Sequence, residues 1–162
     1  MVNDHPDVAG LLRSAEMLPL IGKALAAPYR NDGVTMVIAP EARGPILGAL
    51  VAVELGAGLV LARQAGRNHP GADIPVESAP TWRGEPEAFQ GRSFDLTDDD
   101  RVLVVDDWIT TGSTIRVVID IVGMLGATYL GSAVLVNKAH PDTCSELNVH
   151  SLVDFDMLSK TR

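Results

Sequence analysis

The stretch of sequence that decides the fold is RVLVVDDWITTGST, residues 101–114. Its apolar run VLVV is short and mostly β-branched, which is typical of a central parallel strand buried on both faces. This strand is predicted to end in the acid pair Asp106 and Asp107. From Ile115 onward apolar residues recur at helical spacing as far as Gly126, a typical helix stop. The turn between strand and helix is therefore expected where open α/β sheets bind their ligands.

The turn itself is rich in groups that suit a phosphate. Backbone N–H groups and hydroxyls at a helix N-terminus attract phosphate, and a glycine lets the backbone approach it closely. The candidate residues are Thr110, Thr111, Gly112, Ser113 and Thr114. Asp106 and Asp107 would repel a phosphate, so they are expected to accept hydrogen bonds from hydroxyls or to hold a metal through water. A phosphate on one side and vicinal hydroxyls on the other describe a ribose 5-phosphate.

The stretch VVDDWITTGST resembles the signature of type I phosphoribosyltransferases, which bind 5-phosphoribosyl 1-diphosphate (PRPP). The resemblance implies that Asp106 and Asp107 hold the ribose hydroxyls and that residues 110–114 bind the 5-phosphate. It also implies an enzyme that transfers ribose 5-phosphate from PRPP to a nucleobase nitrogen and releases diphosphate. Mg²⁺ would be the cofactor, bound through PRPP with Asp106 or Asp107 as candidate ligands.

Two other nucleotide-binding motifs are absent from the sequence. A Walker-type P-loop is excluded, because no Gly-Lys-Ser/Thr follows the turn. A Rossmann-like oxidoreductase is a weaker alternative, because no Gly-x-Gly-x-x-Gly follows a predicted strand.

Composition sets outer limits on the protein. A chain of 162 residues that is 46% hydrophobic fits one domain over residues 1–162. The net charge of -8 argues against a nucleic-acid partner, and no apolar run approaches the length of a membrane span. The single cysteine, Cys144, excludes an internal disulfide and suits a reducing cytoplasm. Three adjacent acids, Asp98, Asp99 and Asp100, are interpreted as a solvated turn rather than a metal cluster.

Strand and helix patterns alternate along the chain. Apolar β-branched runs predict strands at residues 35–39, 59–63, 102–105, 129–136 and 149–155. Helical spacing predicts one or two helices within 8–30, interrupted at Pro19, and further helices at 45–55 and after 115. This alternation predicts an α/β fold with a doubly wound, mainly parallel sheet flanked by helices. The resemblance implies the same architecture, the type I phosphoribosyltransferase fold.

A second loop is expected beside the first, because another strand, turn and helix precede it. It contains Glu41, Ala42, Arg43 and Gly44. A guanidinium on such a loop suits a diphosphate, and the alternative is a surface ion pair between Arg43 and Glu41. Glu-Ala-Arg-Gly resembles the diphosphate loop of adenine phosphoribosyltransferases. That resemblance implies that all four residues bind substrate and that the loop contains a non-proline cis peptide.

Two more basic residues follow the third predicted strand. The segment RQAGR, residues 63–67, resembles the Arg-Lys-x-Gly-Lys segment of the family, with Gln64 in place of the central lysine. The resemblance makes Arg63 and Arg67 candidates for the PRPP diphosphate.

A segment rich in proline and glycine extends over about residues 64–95. Such a segment in a compact domain is usually a functional lid or a disordered loop. The resemblance implies a flexible hood that closes over PRPP and excludes water from the reacting sugar. Trp82, Arg83 and Arg92 are its candidate functional residues, and an exposed aromatic with solvated arginines is the alternative.

The acceptor base is assigned by smaller resemblances. Enzymes for 6-oxopurines carry an aspartate where Thr110 stands, whereas Glu-Ala-Arg-Gly and the tail Ser151-Leu152-Val153-Asp154-Phe155 resemble adenine enzymes. Adenine-like purine salvage is therefore favoured, and the resemblance to the family also implies a homodimer. The sequence Ile-Thr-Thr-Gly is closer to that of orotate enzymes, and the Glu-Tyr-Gly motif of adenine enzymes is missing. Another acceptor base, such as orotate, is therefore an open alternative. A non-catalytic PRPP or nucleotide sensor also stays open, supported by Gln64 and the unusual hood.

Overall fold

The computed structural model describes residues 7–77, 86 and 88–159. The helices are α1 (Val8–Leu12), α2 (Met17–Ala26), α3 (Gly44–Leu55), α4 (Ser113–Met124), α5 (Pro141–Glu146) and α6 (Phe155–Ser159), with a 3-10 helix at Ala27–Tyr29. The strands are β1 (Met36–Pro40), β2 (Gly58–Gln64), β3 (Ile74–Glu77), β4 (Ala88–Gly91), β5 (Arg101–Ile109), β6 (Thr128–Asn137) and β7 (Val149–Asp154). Each strand and helix that the apolar patterns predicted is present.

The strands form one sheet of seven, in the order β3-β4-β2-β1-β5-β6-β7. β2, β1, β5, β6 and β7 are parallel, whereas β4 is antiparallel to both β2 and β3. Helices cover both faces of this sheet. The predicted doubly wound, mainly parallel α/β fold is therefore confirmed.

Burial on both faces explains the continuous apolar runs of the central strands. Leu103 of β5 belongs to the core cluster that contains Leu47 of α3, and the next residue, Val104, belongs to the cluster that contains Val118 of α4. All four residues are fully shielded from solvent. Successive side chains point to opposite faces, so a strand between two helical layers needs an apolar residue at every position.

The topology creates a crevice between β1 and β5. The chain leaves β1 through α3 to reach β2 on one side, and it leaves β5 through α4 to reach β6 on the other. Because β1 and β5 are parallel neighbours, the loops that follow them lie at the same edge of the sheet. This is the switch point at which open α/β sheets bind ligands.

The prediction that the central strand ends at its acid pair is wrong. β5 continues past Asp107 to Ile109, because β6 pairs with it as far as the Ile109 and Asn137 partners. Pairing with β1 stops earlier, at Val104, and β1 itself ends at Pro40, which has no N–H to extend a ladder. The two acids therefore lie on a stretch of β5 that keeps a neighbour on one side only.

The segment expected to be a lid carries two short strands. β4 pairs with β2 and with β3, and its Phe89 is completely buried. These strands extend the sheet beyond β2, so this part of the segment is packed rather than irregular. Trp82 and Arg83 lie outside the described residues.

The contacts of Arg92, the third candidate of this segment, indicate a structural role. Its guanidinium lies 2.5 Å from Asp95 and 4.8 Å from the centre of the Phe94 ring. Gln90 pairs with Arg63 in the antiparallel ladder, so the chain at Arg92 has already passed toward the amino end of β2. The backbone of Arg92 therefore lies away from the carboxyl end of β2, and its side chain contacts Asp95 and Phe94.

The first predicted helical region contains two helices, with the break at residues 13–16. The predicted interruption at Pro19 is wrong, because Pro19 lies inside the first turn of α2, where a missing N–H leaves no intrahelical hydrogen bond unmade. Within the described ranges, no helix is long and apolar enough to span a lipid bilayer.

Replacing Phe89 with alanine tests whether β4 is part of the core. Phe89→Ala should lower the free energy of unfolding by about 3 to 5 kcal/mol, because it empties a fully buried site. Phe94→Ala is the matched control, since the Phe94 side chain is 66% exposed, and it should change little. Urea denaturation followed by circular dichroism measures both, and equal losses would contradict the packing of β4.

Candidate active site

Asp106 and Asp107 form the floor of the crevice and are nearly shielded from solvent, at 8% and 7% exposure. Asp106 Oδ1 accepts a hydrogen bond of 2.8 Å from the backbone N–H of Asp107. The first residue of α3, Gly44, lies against this carboxylate, and a Cβ there would approach Asp106 Oδ1 to 3.3 Å. A side chain at the predicted loop residue Gly44 would therefore crowd the acid pair.

The environment of Asp106 favours its protonated form. Burial is the main cause that raises the pKa of Asp106 well above its usual value, and the adjacent charge of Asp107 raises it further. The positive charge of Arg43 acts in the opposite direction. A carboxyl group that holds a proton readily lowers the negative charge of the crevice, which favours a phosphorylated ligand.

Arg43 connects the two loops that the sequence predicted as neighbours. Its Nε lies 2.5 Å from Asp107 Oδ2. The Arg43 side chain is 57% exposed whereas that of Asp107 is 10% exposed, so the guanidinium stays accessible from the crevice. The alternative of an ion pair between Arg43 and Glu41 is wrong, because the partner of Arg43 comes from β5.

Glu41 instead holds its loop to the end of β2. Its Oε1 lies 2.8 Å from Arg63 Nε, although the N–H is not aligned for a hydrogen bond, and its Oε2 accepts one of 3.2 Å from the Gln64 backbone. Arg63 also donates to the carbonyl of Asn68. The Glu41–Ala42 peptide is cis, as the resemblance implied. Glu41 thereby brings Arg63 beside the second loop.

Arg67 lies in the turn that follows β2 and is exposed. Its carbonyl accepts a hydrogen bond of 2.7 Å from the Gln90 side chain of β4. This contact fixes the backbone of the turn, so both predicted basic residues lie on structure attached to the carboxyl end of β2.

The predicted phosphate turn joins β5 to α4. Gly112 has φ +77°, which favours glycine, and it occupies the N-cap position of α4. It has no side chain to cap the helix. The Ser113 N–H donates to the Thr111 hydroxyl at 3.3 Å, and the following N–H groups of the first turn are candidate donors to a ligand. The Thr111 and Ser113 hydroxyls lie 2.9 Å apart and bind each other. Thr110 and Thr114, on either side, are half-buried.

A group behind this turn was missed by the sequence analysis. Arg116 donates to the Thr111 carbonyl at 2.8 Å and forms a two-pronged ion pair with Glu146 of α5. Leu147 and Thr143 approach so closely that a Cβ at Gly112 would lie 2.7 Å and 2.9 Å from them. A basic residue so near a helix N-terminus opposes the helix dipole. This unusual position of Arg116 was the sequence signal that could have identified it as a candidate functional residue.

An aromatic group at the same edge of the sheet was also missed. The rings of Trp108 and Phe155 meet edge to face with centroids 5.6 Å apart. The ammonium group of Lys138 lies 4.3 Å from the centre of the Phe155 ring. Because Trp108 directly follows Asp107, this group borders the acid pair along β5.

The acids before β5 form a turn, as predicted. Asp100 accepts hydrogen bonds from the Thr35 hydroxyl at 2.8 Å and from the Thr97 backbone at 2.8 Å. In the part of the chain that the structure describes, no group of three or more His, Cys, Asp or Glu side chains is placed to hold a metal ion.

Replacing Asp106 with asparagine tests its environment. A raised pKa means that the native state loses stability as pH rises from the unfolded value of Asp through the folded one. Asp106→Asn should therefore be more stable than the wild type at pH 7, and this advantage should shrink toward pH 4. Urea denaturation at both pH values measures it. Asp99→Asn, at an exposed site, is the control, and a pH-independent difference for Asp106→Asn would contradict the assignment.

Comparison with known proteins agrees with this geometry. Residues 8–153 match the family model of the phosphoribosyl transferase domain. The chain is 39% identical over 130 residues to an adenine phosphoribosyltransferase of Streptomyces clavuligerus, covering 80% of this chain and 71% of that protein. It is 33% identical over 156 residues to that of Edwardsiella ictaluri, covering 93% and 83%.

A solved structure is similar over almost the whole chain. It is the adenine phosphoribosyltransferase of Trypanosoma brucei in complex with AMP, pyrophosphate and ribose-5-phosphate. The TM-score is 0.77 at 27% identity, covering 96% of this chain and 71% of the other. By its sequence over residues 8–153 and by its fold, this chain belongs to the phosphoribosyltransferase family.

Proposed function

We propose that this enzyme transfers ribose 5-phosphate from PRPP to adenine, with release of diphosphate, in purine salvage. The observation that carries the proposal is the meeting of Arg43 with Asp107 directly beside the turn at residues 110–114. An anion-binding arginine, hydroxyl-binding acids and a phosphate turn thus surround one crevice. Adenine as the acceptor is supported by the names of the relatives from Streptomyces clavuligerus and Edwardsiella ictaluri.

The residues divide among the parts of PRPP. The turn at residues 110–114 binds the 5-phosphate through the N-terminus of α4, and Asp106 and Asp107 accept the ribose hydroxyls. Arg43, Arg63 and Arg67 neutralise the diphosphate as the bond from C1 to its oxygen breaks. The bond from C1 to the base nitrogen then forms while that nitrogen releases its proton to the departing diphosphate, and the acid pair stabilises the positive charge that develops on the sugar.

Arg43 changes partner in this scheme. Without substrate it is paired with Asp107. When the diphosphate enters, Arg43 turns to it, and Asp107 becomes available for a ribose hydroxyl. The exposed position of the Arg43 side chain supports this exchange, because the guanidinium reaches an incoming anion without rearrangement of the sheet.

Mg²⁺ is the proposed cofactor. The carboxylate of Asp107 is a hard oxygen donor, as is that of Asp106 in its ionised form, and Mg²⁺ needs few protein ligands when it keeps waters and binds substrate oxygens. When bound, it would supply positive charge that stabilises the leaving diphosphate.

We also propose that the segment at about residues 64–95 forms a hood over the substrate. A cytoplasmic location is a further proposal, which the lone thiol of Cys144 supports.

A base panel tests the proposed reaction. The enzyme is incubated with PRPP, Mg²⁺ and adenine, hypoxanthine, guanine or orotate, and diphosphate release is measured. We expect turnover with adenine, and Asp107→Asn should lower kcat/KM by about a hundredfold, because one stabiliser of the sugar cation is lost. Asp99→Asn, before the same strand, is the matched control.

Other outcomes of the panel separate the alternatives. Turnover with orotate alone would replace the proposed acceptor. PRPP binding without turnover for every base would favour a sensor, in which the pairing of Arg63 with Glu41 keeps that arginine from the diphosphate. Unchanged turnover of Asp107→Asn would remove the acid pair from the mechanism.

We also propose that the enzyme is a homodimer that pairs through the outer face of α3. Every residue of α3 except Glu54 is apolar, with Leu47 and Val51 buried while Val53 is 83% exposed and Ile46 is 47% exposed. A helix that is apolar all round is normally covered on all sides. A second copy of the chain is the cover we propose.

Val53→Glu tests this interface. A charge on the outer face of α3 should convert the dimer to a monomer, as measured by light scattering coupled to size-exclusion chromatography. Met124→Glu is the control, since Met124 is 63% exposed on α4, across the sheet. A wild type that elutes as a monomer, or a variant that stays dimeric, would contradict the proposal.

A further inference from the structure

We propose that Arg116 is a positioning residue that fixes the Thr111–Gly112 peptide of the phosphate turn, and that Glu146 aims its guanidinium. This inference rests on the proposed function, because it requires that the turn binds the 5-phosphate. Arg116 itself touches no substrate in this scheme. Its role is to hold one peptide plane in the orientation that receives an anion.

The Thr111–Gly112 peptide is the part of the turn that most needs fixing. Glycine adopts positive and negative φ with similar ease, so the peptide before it can rotate at little steric cost. In one orientation the Gly112 N–H faces the ligand, and in the other the Thr111 carbonyl does. The second orientation removes a donor and directs a partial negative charge at the phosphate, which weakens binding.

Arg116 binds the carbonyl of that peptide from behind. Its Nη1 lies 2.8 Å from the Thr111 carbonyl oxygen. In a trans peptide the N–H points away from the C=O, so a carbonyl held toward Arg116 directs the Gly112 N–H to the opposite side. The hydrogen bond is charge-assisted, which makes it stronger than one between neutral groups.

Glu146 fixes the direction of the guanidinium. Its two oxygens accept from Arg116 Nε at 3.0 Å and from Nη2 at 2.7 Å. The guanidinium is planar and rigid, so two fixed nitrogens determine where Nη1 points. A lysine at this position could not be held in this way.

The helix that carries Glu146 is anchored to the core. The next residue, Leu147, is 3% exposed, and its carbonyl accepts a hydrogen bond of 2.5 Å from the Tyr129 hydroxyl. Leu147 also packs against Gly112, since a Cβ there would lie 2.7 Å from its Cδ1. The turn is thus held between α4 and a well-anchored α5.

A purely structural ion pair explains these contacts less well. The Arg116 and Glu146 side chains are 38% and 58% exposed, and ion pairs at such exposure stabilise a fold little. Arg116 also opposes the dipole at the start of α4, which costs stability. The contact with Thr111 is the feature that a stability role leaves unexplained.

The experiment compares three variants of the full-length enzyme. Arg116→Gln removes the ion pair and the charged donor. The double variant Arg116→Glu with Glu146→Arg restores an ion pair between α4 and α5 but replaces the donor at residue 116 with a carboxylate, which cannot donate to the Thr111 carbonyl. Arg30→Gln removes the Arg30–Glu54 pair, which has similar exposure of 42% and 30%, and serves as the matched control. Calorimetry gives the Kd of ribose 5-phosphate and of diphosphate with Mg²⁺, and thermal melting gives Tm.

We expect Arg116→Gln and the exchanged pair to raise the Kd of ribose 5-phosphate by about tenfold. This change corresponds to the loss of one charge-assisted hydrogen bond, the one from the Gly112 N–H to the phosphate. Diphosphate affinity should stay within about twofold, because the diphosphate lies on the other loops. Arg30→Gln should match the wild type for both ligands. Rescue by the exchanged pair, equal losses for both ligands, or an unchanged Kd in Arg116→Gln would overturn the inference. Failure of the wild type to bind ribose 5-phosphate would instead overturn the proposed function, and the inference with it.

Discussion

Two adjacent carboxylates at the end of a buried strand are the constraint on which the rest of this site depends. Asp106 and Asp107 are both nearly inaccessible, so their charges cannot be dispersed into water. The pKa of Asp106 is raised, which favours its uncharged form, and the guanidinium of Arg43 compensates the charge of Asp107. Only a strand order that places β1 beside β5 brings that guanidinium within reach. Charge compensation and topology are therefore one requirement in this protein.

The same principle recurs around the crevice. Arg63 lies beside Glu41, Arg116 is paired with Glu146, and Arg43 is paired with Asp107. A chain of net charge -8 could not attract a polyphosphate by its overall field. It offers instead the N-terminus of α4 and these three arginines, and each arginine is held in place by an acid from another element. Short-range geometry thus replaces long-range attraction.

The sequence predicted those features that depend on local pattern. Burial of β5 on both faces leaves a continuous apolar run, and the acid pair is recognisable because it interrupts that run at its end. The strand limits were less well predicted, because the extension to Ile109 depends on pairing with β6. The strands β3 and β4 left no periodic pattern, since they are four residues long and include Pro75 and Gly91. The pairing of Arg43 with Asp107 depends on strand order, which no local pattern encodes.

Helix α3 begins in the loop that carries Arg43 and ends beyond Val53 on the outer surface. Its 12 residues form a rod about 18 Å long, with Gly44 wedged against Asp106 at one end. Gly48 in its middle sits so near Ala39 of β1 that a Cβ would come within 2.8 Å, so the rod cannot slide sideways. In the proposed dimer, the subunit contact at Val53 and the proposed diphosphate ligand Arg43 would therefore lie at opposite ends of one continuous helix.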